Sequence, residues 1–244
     1  MVWRIFNFRS TIVAAGTLTF VLLLLFLLPR FLMPHWAALA PRFFLGWIAM
    51  LLLLTTVASV LWVVWSDSLA VAFFGYAVLV DSVAVLMLLI GLFSGFLGVG
   101  DVFRLYLLLV TWVALWSAVA YLFRRRPPLA AVLAVTCSAV FFASPIAALP
   151  LVRVASRCSP VCRENTLHCV AYATPVLPAF HAIKSSLPAA YWPEWPVMYR
   201  MSDISQELGL RAHWQTAAMG YGIAAIVILV AGSILRRAAG KPAG

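Results

Sequence analysis

Blocks of about twenty apolar residues, separated by short polar breaks, decide what this chain can fold into. At 1.5 Å of rise per helical residue such a block matches a hydrocarbon core of roughly 30 Å. The blocks do not alternate in polarity, as strands of a transmembrane barrel would. Composition agrees: 65% of the 244 residues are hydrophobic and 10% are charged, against about a quarter charged in soluble domains. The expectation is an all-α, polytopic helical membrane protein.

The spacing predicts six spans, over residues 11–28, 43–65, 69–90, 102–123, 129–152 and 216–235. Pro29 and Arg30 stop the first. That block outruns the apolar core of a signal peptide, so it reads as a retained anchor. Trp47, Trp62 and Trp65 stand at interfacial positions of the second. Only Ser66, Asp67 and Ser68 part the second span from the third, which predicts a tight helical hairpin. The third could run on through Gly91, Gly95, Gly98 and Gly100. Pro145 and Pro150 would kink the fifth.

The formal charge is +10, but it gathers at the ends of blocks. Arg4 and Arg9 precede the first, Arg124, Arg125 and Arg126 follow the fourth, and Arg236, Arg237 and Lys241 follow the sixth. Anionic headgroups and the positive-inside rule account for such a pattern. No basic stripe with interleaved aromatics exists, so nucleic acid is not an expected partner; membrane lipids are. Counting places both termini in the cytoplasm of a cell with an inner (plasma) membrane, with Arg30 and Arg42 against the rule.

Residues 153–215 break the apolar run. They hold three of the four cysteines, three of the four histidines and four of the seven acidic residues. On the six-span topology they form an extracytoplasmic cap. Residues 170–190 are half-apolar and broken by Pro175 and Pro178, too short to cross, and fit re-entrant or interfacial helices. Tyr191, Trp192 and Trp195, with Pro193 and Pro196, fit a headgroup-level anchor. Residues 202–210 fit a short helix capped by Ser202.

Candidate site residues are few. Cys158, Cys162 and Cys169, with His168 beside the last, admit three readings: a disulfide between two of them, a soft-metal or redox site, or plain packing. Asp81 lies inside the third span, where an ionised carboxylate costs about 2.5–3.5 kcal/mol. It is either a proton, ion or substrate contact, or a packing residue held by Tyr76 or a serine on a neighbouring helix. Asp101 and Arg104 could pair at the start of the fourth span. No nucleotide-binding, hydrolase or metalloprotease motif is present, so no catalytic residue and no cofactor are expected.

Several features together resemble the permease subunit of an ABC-2-type exporter. They are Trp116 and Ser117, the run from Tyr121 through Arg124, Arg125, Arg126, Pro127 and Pro128, then Pro145, Ala173 to Pro175, and Arg236 with Arg237. These lie in the C-terminal half. The resemblance implies short re-entrant helices before the last span, a separate ATPase subunit, and a permease working as a homodimer or with a similar chain on a lipid, drug or polymer. Two other classes fit the residues: a structural or assembly subunit of a respiratory or photosynthetic complex, and a membrane redox or metal protein using the cysteine cluster.

Overall fold

The computed structural model describes residues 8–32, 36–66, 69–94, 97–123, 128–129, 132–133, 136, 154, 157, 159–173, 175–183 and 213–239. Seven helices carry the described fold: α1 (Phe8–Leu32), α2 (Trp36–Trp65), α3 (Leu69–Ser94), α4 (Val99–Leu122), α5 (Pro160–Tyr172), α6 (Val176–Ala182) and α7 (Trp214–Ala239). No strand occurs among the described residues. Trp47–Trp65, Val99–Leu122 and Trp214–Ile234 are each long and apolar enough to cross a membrane, and Ile12–Val21 and Ala70–Val83 are shorter apolar stretches. This is a helical membrane protein.

Several boundaries differ from expectation. α1 passes Pro29 and ends at Leu32, because helices in apolar surroundings tolerate a proline near the end where few backbone bonds are lost. α2 begins at Trp36 rather than at residue 43. The third helix runs on past residue 90 through Gly91 to Ser94 but not through the whole glycine-rich stretch, since Leu97 and Gly98 are non-helical and α4 begins at Val99. Asp101 explains that restart. Its Oδ2 accepts the Gly98 N–H at 3.0 Å, and the Asp101 N–H in turn reaches the Gly98 carbonyl at 3.0 Å. An acidic side chain in the first turn also suits the positive end of the helix dipole. The fifth span (129–152), the aromatic-proline run and the helix at 202–210 lie outside the described residues or almost wholly so.

The hairpin between α2 and α3 forms as expected. Trp62 of α2 packs against Gly75 of α3, where a Cβ would collide with the indole, and its Nε1 donates to the Val71 carbonyl at 3.5 Å. α3 and α4 run antiparallel: Tyr76 donates to the Val110 carbonyl at 2.8 Å, and Tyr106 donates to Asp81 at 3.0 Å. α2 and α4 are consequently parallel, joined by a 2.6 Å bond between the Ser59 and Ser117 hydroxyls.

α4 is the hub, packed most extensively on α7 and also on α2, α3 and α6. Leu105, Leu108, Leu109, Trp112 and Val113 are all buried. In lipid the driving force for such contact is close packing and interhelical hydrogen bonding rather than escape from water. α7 accordingly turns Ala217, Ala218, Ala225 and Gly232 inward and leaves Met219, Ile223, Ile226, Val227, Val230 and Ile234 outward. Gly222 sits beside Thr111, and Gly232 beside Leu122. Both pairs advance together, so α4 and α7 run parallel, and Phe123 and Trp214 lie at opposite ends of the pair.

Candidate functional site

Where α4 and α7 both begin, polar groups from three segments converge. The Arg104 guanidinium donates through Nη1 to Asp101 Oδ1 at 3.3 Å and to the Ala182 carbonyl at 3.1 Å. The expected Asp101–Arg104 pair is present, and it also holds the end of α6. The Asp101 side chain is 5% exposed, so the guanidinium and the Gly98 N–H are needed to offset its burial. His181 of α6 and His213, just before α7, meet edge to face with ring centroids 4.9 Å apart.

α6 is short and carries a proline, yet it is deeply set. Val176, Leu177, Pro178, Ala179, Phe180, Ala182 and Ile183 are buried. Leu177, Ala179 and Phe180 belong to the same core as Leu105 and Leu108 of α4. α5 is tied in differently: Tyr221 of α7 donates to the Tyr172 carbonyl at 2.8 Å, while Leu167 and Ala171 enter the core. Among the described residues, α5 and α6 thus form a cap seated on the shared starting end of α4 and α7.

Of the expected cysteine cluster, Cys162, Cys169 and His168 lie on α5. Ser159 caps α5, its hydroxyl accepting the Cys162 N–H at 3.0 Å, with Pro160 at the first helical position. Cys162 and Cys169 are free, the first half-buried and the second exposed. Seven residues apart, they share a helix face but stand about 10 Å apart along the axis, far beyond what two metal–sulfur bonds of about 2.3 Å can span. His168 points elsewhere: it lies 3.5 Å from Glu164 Oε1 and stacks on Tyr172. Cys158 lies outside the described residues. Among the described residues no group of three metal-ligating side chains converges.

Asp81 takes its hydrogen bond from Tyr106 of α4. The partners expected for it, Tyr76 or a serine, are not the ones used, since Tyr76 spends its hydroxyl on the Val110 carbonyl. Nor does Asp81 face the bundle interior: it is exposed on the outer surface of α3. The signal for its true partner was a tyrosine near the start of the next span, with no sequence spacing to single it out from Tyr76.

Further along α4, Trp112 packs edge-on against Tyr221 at 4.9 Å and against Trp116 at 5.9 Å. The indole N–H groups of Trp112 and Trp116 are buried without a hydrogen-bond partner among the described residues. Comparison with protein-family models, curated proteins and solved structures finds no match for this chain.

Proposed function

We propose that the chain is the membrane-embedded permease subunit of an ABC-type exporter of the inner membrane, with ATP hydrolysed by a separate chain and a lipid, drug or polymer as cargo. The observation that carries this reading is the cap. Two short helices between α4 and α7, α5 and α6, sit on the end where α4 and α7 start, locked by Arg104 to Ala182 and by Tyr221 to Tyr172. That placement is what the resemblance to ABC-2-type permeases implies for the segment before the last span.

Six spans fit the same reading. Parallel α4 and α7 need an odd number of crossings between them, and the apolar block at 129–152 is long enough for one. With the cap outside, the arginine triplet at 124–126 and the pair Arg236–Arg237 fall on the cytoplasmic side. A homodimer, or pairing with a similar chain, would complete the transport unit. The test is purification of the tagged protein from its native membrane in a mild detergent. The reading expects a stoichiometric ATPase chain with vanadate-sensitive hydrolysis. Recovery without any ATPase would sink it.

A second reading is a structural or assembly subunit of a larger membrane complex. What favours it is the pairing of buried polar side chains within the chain itself: Thr55 and Thr56 bond to the Leu51 and Leu52 carbonyls, Ser59 to Ser117, Ser66 to the Trp62 carbonyl, and Asp101 to Gly98 and Arg104. The same purification would then return respiratory or photosynthetic subunits.

A further inference from the structure

The outward face of α3 and α4 holds a carboxyl group where lipid should be. Asp81 stands midway along the 26-residue α3 and is exposed, with Tyr106 Oη at 3.0 Å as its partner. A carboxylate offers about four acceptor positions, and one phenol fills one of them. Charged residues at this depth are sustained by pairing with another polar group. Tyr106 is polar but uncharged, and the one cation in α3 and α4, Arg104, is held by Asp101 and Ala182, so an opposite charge for Asp81 has to come from beyond these two helices.

The shape of the face says what kind of group brings it. Phe74, Asp81, Val85 and Leu89 follow one another along α3 at spacings of seven and four, all exposed, and Phe103 of α4 is exposed one turn from Tyr106. From Phe74 to Leu89 the stripe is about 22 Å long, which suits a rod rather than a compact ligand. Charge decides between rods. Within the apolar stretches of the described helices the one cation is Arg104, already committed to Asp101 and Ala182. A second copy would bring another carboxyl to the same depth, and like charges in a low dielectric repel.

We infer that this face is an intramembrane docking surface for a transmembrane helix of another chain that presents a lysine or arginine at the depth of Asp81. The inference goes beyond the permease reading and stands independently of it. The pair resembles other buried ion pairs in membranes: the carboxylate accepts from the incoming cation while Tyr106 keeps its own bond.

The probe is a synthetic leucine–alanine helix of about 22 residues with one central lysine, set beside the same peptide with leucine there. Binding to the full-length protein in phosphatidylcholine vesicles is followed by energy transfer. The lysine peptide is expected to bind roughly three- to twentyfold tighter, the range of measured interhelical polar pairs, and Asp81→Asn to abolish the difference. Benzoylphenylalanine placed at Val85 should cross-link the lysine peptide, and placed at Val227 on α7 should not. Tyr106→Phe provides a second variant if Asp81→Asn does not fold: freeing the carboxylate of its phenol should keep or raise the preference for lysine. Equal binding of the two peptides, a lower preference in Tyr106→Phe, or cross-linking at Val85 to a second copy of the protein would each overturn the inference.

Discussion

Arg104 donates to the carbonyl oxygen of Ala182 at 3.1 Å, and this contact between residues 78 apart in sequence fixes the cap to the bundle. The same guanidinium balances Asp101. Replacing it, as in Arg104→Met, removes both bonds and takes the guanidinium away from a buried carboxylate. A charge-assisted bond contributes about 1.5–3 kcal/mol, and since the Arg104 side chain is 39% exposed the lower end applies. Thermal melting in detergent should fall, and protease should cut in and around α5–α6 before the long helices. Unchanged melting and an intact cap would show that the contact carries no weight. Arg104→Lys should lose less, because it keeps a charge for Asp101 without the planar fork.

Gly75 makes the α2–α3 hairpin close. A methyl group there would enter the Trp62 indole, so Gly75→Ala should destabilise by about 1–3 kcal/mol, the usual cost of overpacking. Shrinking the neighbour should relieve it. In a double-mutant cycle Gly75→Ala with Trp62→Leu should cost less than the two separate effects summed. Strict additivity would mean that the two residues do not meet.

Ser59 and Ser117 join the parallel pair α2 and α4. Interhelical bonds of this kind contribute on average about 0.6 kcal/mol in a membrane, so either single alanine variant should give a small, measurable loss. The double variant should cost scarcely more than one alone, because it leaves no orphaned hydroxyl. Reversible unfolding in mixed micelles gives the comparison.

Much of this architecture can be read from the residues alone, and what escapes does so for physical reasons. The hairpin at Ser66 and the extents of α4 and α7 follow from long apolar blocks, whose length is set by the bilayer. The Asp101–Arg104 pair follows from helical spacing of three. The Tyr106–Asp81 bond does not, because it joins two helices across 25 residues and Tyr76 is an equally good candidate by sequence. Nor does the burial of α6: Val176 to Ala182 is too short to signal a core helix, and only its docking against α4 and α7 shows that it is one. Ser159 and Pro160 carry a legible helix-start pattern, which sets Cys162 inside a helix and so separates it from His168.

Tyr221 links α7 to the end of α5 through the Tyr172 carbonyl at 2.8 Å, while its ring rests on Trp112. Tyr221→Phe keeps the ring contact and removes the bond, for an expected loss of about 0.5–1.5 kcal/mol. Amide exchange should quicken around α5 and stay unchanged along α4. If protection changes equally in both, the hydroxyl is not a specific tether.

The central claim is two-sided: α5 and the start of α7 share one membrane face, and the end of α7 lies on the other. Cys169 on α5 is exposed and reports the first face, once Cys137, Cys158 and Cys162 are replaced by serine. An epitope placed after Gly244 reports the second. In intact cells a membrane-impermeant maleimide should label Cys169 while the epitope stays shielded from antibody until the membrane is permeabilised. Labelling of both before permeabilisation, or of neither, would place α5 and the end of α7 on one side and contradict the account.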